Sequence, residues 1–91
     1  MGFAKEIYDK ESIIKDVRER KEIIDKYQST HVLDRKSAID KIMKLRMTDE
    51  QVAVETTARL MVSSVPFEQV SDDGLVSELK MQMDILLSKL A

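Results

Sequence analysis

Apolar side chains recur every three or four residues through most of this 91-residue chain, and short polar segments interrupt the recurrence. Such spacing is typical of amphipathic α-helices, because residues three and four apart share one face of a helix. We predict helices from residue 3 to 28, from 34 or 35 to 46, from 48 to 64 and from 73 to 90. The sequence therefore predicts an all-α fold, a small three- to four-helix bundle with a long first helix, forming a single helical domain over residues 1–91.

The first predicted helix carries apolar residues at a seven-residue repeat, as in coiled coils. Its stripe consists of Phe3, Ile7, Ile14, Val17 and Ile24, and Ile13, Ile23 and Tyr27 widen it. Acidic residues precede basic ones by four positions, as at Asp16 and Arg20, which stabilises an exposed helix by roughly 0.2–0.5 kcal/mol per pair. Because this helix is longer than the others, we expect two copies of the chain to pair along it as a homodimer.

The second and third predicted helices differ in how their apolar residues are distributed. On the second, Ala38, Ile39, Ile42, Met43 and Leu45 form one narrow face. The third has a favourable start at Thr48, whose side chain can cap the free N–H groups of the first turn, while the side chain of Gln51 can reach back to the backbone N–H of Thr48. Its apolar residues spread around most of the circumference, which is typical of a central helix. We therefore expect the third helix to be the most buried element.

The last predicted helix presents a clear packing face and two apolar residues outside it. Ser71, Asp72 and Asp73 suit a helix start, which Gly74 weakens. The packing face, an arc of about 120°, comprises Leu75, Val76, Leu79, Met83, Leu86, Leu87 and Leu90. Met81 and Ile85 lie outside that arc, one turn apart. Two interpretations are open: a broader buried stripe within the bundle, or an exposed patch that contacts another chain.

Composition narrows the classes of protein to consider. Charged residues make up 35% of the chain, with two Gly, one Pro and no Cys, and the net charge is −2. Without cysteine there is no disulfide framework, and the charged N-terminal residues do not resemble a secretory signal, so we expect a reducing, cytoplasmic location. No apolar run reaches the roughly 20 residues that span a bilayer, and we expect no membrane partner.

Residues capable of catalysis or of metal binding are sparse. His31 is the one histidine and stands at a helix break, where we expect it to be solvated or to cap the helix. Asp72 and Asp73 lack the alternating ligands of a calcium loop. Neither glycine belongs to a phosphate-binding cluster. We therefore expect no enzymatic activity, no cofactor, no metal site and no small-molecule substrate.

One segment resembles a helix-turn-helix, with Ala38, Ile42 and Leu45 facing the core and Arg46-Met47-Thr48 as the turn. In this alternative the chain is a DNA-binding regulator that uses residues 35–62. Its candidate contacts are Arg35, Lys36, Lys41, Lys44, Gln51 and Arg59. Acidic residues at the start of the would-be reading helix repel phosphates, and Arg46 stands where the motif commonly has glycine. Nucleic acid is therefore the less favoured partner.

The favoured hypothesis is a small intracellular protein-interaction module: a regulatory adaptor, an inhibitor or an assembly factor. It would act by burying an apolar helix face against a partner's groove, and it would self-associate. The candidate partner contacts are Met81, Ile85, Ile13, Ile23 and Tyr27.

Overall fold

The computed structural model describes residues 9–60 and 66–90. Within these residues the chain forms four α-helices and one short 3₁₀ helix, and no strand. The helices are α1 (Lys10–Thr30), α2 (Arg35–Thr48), α3 (Glu50–Leu60) and α4 (Asp72–Ser88), with the 3₁₀ turn at Phe67–Gln69 before α4. The prediction of an all-α fold with a long first helix is confirmed. In the described part of the chain, none of the helices has the length and apolar character to cross a membrane.

Each helix begins at a side-chain cap. The carboxylate of Asp9 accepts the N–H of Ser12 at 2.7 Å, that of Asp34 accepts the N–H of Ser37 at 3.2 Å, and the hydroxyl of Ser71 accepts the N–H of Gly74 at 3.1 Å. Such caps satisfy backbone donors that have no partner within the helix. The hydrogen bonds from the backbone N–H groups also hold the pKa of Asp9 and of Asp34 below the usual range.

The cap of α3 is not the predicted one. Helix α2 continues through Thr48, whose hydroxyl donates to the backbone oxygen of Lys44 at 3.1 Å. Asp49 caps α3 instead, and its carboxylate accepts the N–H of Val52 at 3.1 Å. The prediction of Thr48 as the cap is therefore wrong by one residue, because the hydroxyl of Thr48 can also bond to the preceding turn of its own helix.

Helix α1 ends at His31, which takes the left-handed conformation with φ 60° and ψ 16°. Its N–H donates to the backbone oxygen of Tyr27 at 2.7 Å, which satisfies one of the last carbonyl groups of the helix. The single histidine of the sequence is thus a capping residue at the turn into α2, as the sequence predicts.

Helix α4 is the centre of the bundle. It runs antiparallel to α1: the hydroxyl of Tyr27 donates to Asp73 at 3.2 Å near one end, and Ile13 and Leu86 share one apolar cluster near the other. Its remaining sides contact α2 and, at fewer positions, α3. The prediction that α3 is the most buried element concerns side chains that lie partly outside the described residues, and it stays a prediction. Among residues 50–55, Val52 is buried and Val54 is exposed.

The buried apolar residues fall into two clusters. Cluster 1, between α1, α2 and the first half of α4, contains Ile24, Leu33, Ala38, Ile42, Leu75, Val76 and Leu79. Cluster 2, which also reaches α3, contains Ile13, Leu45, Val52, Ile85 and Leu86. The predicted face of α2 is confirmed, since its five apolar residues are buried or pack against cluster 1 or cluster 2.

The seam of α1 has the predicted seven-residue repeat in a different register. A row of buried or half-buried residues alternates by four and three: Ile13, Val17, Arg20, Ile24 and Tyr27. Asp16, Glu19 and Ile23 beside this row are half-buried. Ile14, which the sequence places in the stripe, is 39% exposed. Arg20, which the sequence places in a surface pair with Asp16, is buried. Phe3 and Ile7 lie outside the described residues.

Gly74, in the first turn of α4, lies close to side chains of the preceding loop. An alanine usually stabilises a helix by about 1 kcal/mol relative to glycine. At Gly74, however, a Cβ atom would lie 2.7 Å from Cγ1 of Val70 and 3.2 Å from Oγ of Ser71, the capping atom. We expect Gly74→Ala to lower the free energy of unfolding by about 1–3 kcal/mol in urea denaturation, because Val70 and the cap must shift.

The matched control for this change is Ser77→Ala, at an exposed position of the same helix. It should leave the stability unchanged or raise it by a few tenths of a kcal/mol, about what helix propensity gives. A Gly74→Ala protein as stable as the control would show that the loop before α4 is loosely packed.

Candidate functional site

A buried arginine joins three helices. Arg20 on α1 is 2% exposed, and its Nε donates to Oε1 of Gln82 on α4 at 3.0 Å. Its Nη2 donates to the backbone oxygen of Lys41 at 3.0 Å, and Nε2 of Gln82 donates to that of Ile42, also at 3.0 Å. Side chains from α1 and α4 therefore meet at two successive carbonyl groups of α2. We call Arg20 and Gln82, with these two carbonyls, the polar layer.

The polar layer lies inside the bundle and not at a cleft. Gln82 is fully buried, and Glu78 is buried one turn earlier on α4. Cluster 1 contains Ile24 and Leu79 from the same two helices, and cluster 2 contains Ile13 and Leu86, so apolar packing flanks the layer on both sides. A guanidinium stays charged in proteins, and burying it is tolerable when its donors are bonded. The layer therefore fixes how α1, α2 and α4 sit together and offers no open binding site.

The predicted partner contacts lie mostly within the core. Ile13 and Ile85 are buried in cluster 2, and Met81 is half-buried against it. Ile23 and Tyr27 are half-buried against cluster 1. The expectation that Met81 and Ile85 lie outside the packed face is wrong, and the broader buried stripe is the correct interpretation. Helix α4 is contacted by α1, α2 and α3, so more than one face of it is covered. A role for these five residues as partner contacts stays a prediction.

The two central basic residues of the DNA-binding alternative are engaged in contacts within the fold. Arg35 forms an ion pair with Asp72 and donates to the backbone oxygens of Glu68 and Val70, at 3.1 and 2.6 Å. These contacts attach the start of α4 to the start of α2. Lys41 lies 3.1 Å from the carboxylate of Glu19 on α1.

The remaining candidates for nucleic-acid contact are not joined by a turn of the expected kind. Lys36, Lys44 and Gln51 are exposed, and Nε2 of Gln51 lies 3.5 Å from Oε1 of Glu55. The side chain of Arg59 lies outside the described residues. Residues 46–48, predicted as the turn, belong to α2, so that prediction is wrong. Residues 46–48 include no glycine, and α2 remains helical up to the residue before Asp49.

A shallow groove of about 280 Å³ lies between α1 and α2. It is lined by Glu19, Glu22, Ile23, Lys26, Asp34, Ser37 and Lys41. None of these lining residues is buried, and three of them are acidic and two basic. Two of its charges, on Glu19 and Lys41, pair across the groove. A groove with mixed, solvated charges selects no ligand of one sign. Among the described residues, no group of three or more metal-binding side chains lies together.

The α2–α3 corner exposes apolar side chains. We use this name for Met47, Asp49, Gln51 and Val54, where α2 ends and α3 begins. Met47 is 71% exposed and Val54 is 62% exposed. Among the described large apolar residues, Val32, in the loop between α1 and α2, is comparably exposed, at 68%. Two such residues on either side of one helix junction form a candidate contact surface, and methionine adapts to varied partners.

Neither residue was singled out from the sequence. The sequence placed Met47 in a turn and Val54 on the helix that we expected to be the most buried element. A signal was present in the spacing, because Met47 and Val54 are seven residues apart and so share one face if α2 and α3 are read as a single helix.

Comparisons with other proteins do not extend this description. No protein-family model matches the chain, and neither does any curated protein or any solved structure.

The polar layer leads us to a prediction about the stability of the folded protein. Replacing Gln82 with leucine removes the acceptor of Arg20 Nε and leaves that donor inside the core. We expect Gln82→Leu to lower the free energy of unfolding by about 1–3 kcal/mol in chemical denaturation, although leucine is the more apolar residue. Met83→Leu, at the next position of α4, is the control and should cost less than about 1.5 kcal/mol. A Gln82→Leu protein at least as stable as the wild type would show that the layer is dispensable.

Proposed function

We propose that this chain is a small protein-interaction module that buries the α2–α3 corner against another polypeptide chain. It would act as an adaptor, an inhibitor or an assembly factor, by occlusion or by tethering. The observation that carries the proposal is the exposure of Met47 and Val54, at 71% and 62%, whereas the other large apolar residues that the structure describes, Val32 apart, are buried or less than half exposed. Contact with a second surface would remove this apolar area from water.

The chemistry of the corner agrees with this role. Helix α3 has the sequence EQVAVETTARL, in which apolar and small residues outnumber charged ones. It contacts α2 and α4, and among residues 50–55 Val52 is buried whereas Val54 is exposed. A helix that is apolar on more than its packed side gains burial when a partner covers the rest.

The proposal is tested by changing the exposed residues and leaving the core alone. In the double variant Met47→Glu with Val54→Glu, both charges stand in water on the free protein, so its stability should stay within about 0.5 kcal/mol per site. On binding they must be desolvated, and we expect partner capture to fall by at least tenfold. The measurement uses the tagged chain as bait with native lysate and with an untagged copy of the chain, followed by quantitative mass spectrometry.

The matched control is Val32→Glu, which introduces the same charge at an equally exposed valine away from the corner. It should capture the same proteins as the wild type, in the same amounts. If the double variant also recovers the wild-type set, the corner is not the interaction surface and the proposal fails.

A further inference from the structure

We propose that Lys89, at the end of α4, acts as a latch on the junction between α2 and α3. Its ammonium group pairs with the carboxylate of Asp49, the residue that separates these two helices. While the pair is intact, the first turn of α3 stays closed on the bundle. When the charge of Lys89 is removed, that turn opens more readily. As a control on the α2–α3 corner the latch rests on the proposed function, but the latch itself is tested without a partner chain.

Asp49 is the point at which α2 and α3 separate. Its backbone is extended, with φ −124° and ψ 116°. One oxygen of its carboxylate, Oδ1, accepts the N–H of Val52 at 3.1 Å, and the other, Oδ2, lies 3.3 Å from Nζ of Lys89. The backbone oxygen of Asp49 accepts the N–H of Ala53 at 2.9 Å. One residue therefore starts α3 and pairs with α4.

Burial of Asp49 makes the cation important. The side chain of Asp49 is 4% exposed and that of Lys89 is 27% exposed. A carboxylate withdrawn from water is destabilising unless hydrogen-bond donors and cations replace its lost hydration. The lysine keeps part of its own hydration, so this pair costs less to form than one that is buried on both sides. Removing the ammonium group destabilises the closed junction, because it leaves a buried carboxylate with less compensation.

The end of α4 is anchored where it carries the ammonium group. The N–H of Lys89 donates to the backbone oxygen of Leu86 at 3.1 Å. Leu86 is fully buried in cluster 2, which also contains Val52 from the first turn of α3. Helix α4 therefore meets the start of α3 in two ways, through apolar packing in cluster 2 and through the ion pair at Asp49. The ion pair is the contact that a change of charge removes.

The latch acts on the shape of the α2–α3 corner. Asp49 lies between Met47 on α2 and Val54 on α3, and both of these apolar side chains are exposed. Opening the first turn of α3 breaks the cap and changes the orientation of α3 relative to α2. The arrangement of the two exposed side chains changes with it. A charge on α4 thus controls a surface that the other two helices form.

The test removes the charge and its partner separately and together. Lys89→Met keeps a long side chain without charge, and Asp49→Asn keeps an oxygen that can accept the N–H of Val52. We expect Lys89→Met to speed the amide hydrogen exchange of Val52 and Ala53 by about tenfold. When Asp49→Asn is already present, the same change should speed exchange by less than about twofold, because no buried charge remains to be compensated.

Two control variants match these changes. Lys89→Arg keeps the charge, so the exchange of Val52 and Ala53 should stay within about threefold of the wild type. Lys80→Met removes the same charge from an exposed position of α4 and should leave both amides unchanged. Circular dichroism of each variant verifies that the helices are retained.

Two results would overturn the latch. Unchanged exchange in Lys89→Met would show that the closed junction needs no cation. Equal acceleration with and without Asp49→Asn would show that Lys89 acts through the end of α4 and not through Asp49. Neither result alters the capture experiment with the Met47 and Val54 variants, so the latch and the proposed function can fail separately.

Control of the corner is tested by partner capture. Lys89→Met should capture about threefold less partner than Lys80→Met, because the open junction no longer holds Met47 and Val54 in one arrangement before binding. Equal capture by the two variants, with exchange still raised in Lys89→Met, would show that the latch stabilises the fold without controlling the surface, and this part of the inference would fail.

Discussion

The hydrogen bonds of Arg20 constrain the whole bundle. Its guanidinium lies between two apolar clusters and reaches Gln82 on α4 and the carbonyl of Lys41 on α2. Apolar contacts alone tolerate a helix that slides or rotates, since one methyl group packs much like another. A buried guanidinium does not, because any other register leaves charged donors without acceptors in a medium of low dielectric constant. We infer that the polar layer selects one arrangement of α1, α2 and α4 among those that the apolar clusters allow.

The polar layer distinguishes a fixed part of the molecule, α1, α2 and α4, from a peripheral part, α3. Helices α1, α2 and α4 share the polar layer, and Arg35 adds a second attachment between α2 and the start of α4. Helix α3 has no part in the layer. Its described contacts are Val52 in cluster 2 and the cap at Asp49, whose carboxylate also lies 3.3 Å from Lys89. Met47 at the end of α2 and Val54 on α3, both exposed, flank the junction between the fixed part and α3, and this junction is the surface that we propose for association with another chain.

The sequence predicts correctly those features of the helices that depend on nearby residues, and it predicts wrongly those that depend on how neighbouring helices pack. Starts and ends of helices follow from caps and breakers close in the chain, and Asp34, Ser71 and His31 act much as their residue types suggest. The face of α2 was predicted correctly because its apolar and charged residues separate cleanly. Arg20 was placed at the surface because its spacing from Asp16 suits an exposed pair, and no local rule distinguishes an arginine that will be buried. Met47 was missed because a one-residue shift of the α3 cap moved it from a predicted turn into α2.

By itself, then, the sequence determined the all-α class, the number of helices, their approximate limits and the side on which α2 is buried. These depend on spacing and on caps within about two helical turns. The tertiary structure decided that α4 contacts each of the other three helices, that the seam of α1 runs through Arg20, and that Ile85 is buried in cluster 2 with Met81 half-buried against it. The physical reason is the same in each case. How much of a helix is buried depends on how many neighbouring helices contact it and from which sides. A helix whose apolar residues lie on more than one face is compatible with several such arrangements, and long-range hydrogen bonds select one of them.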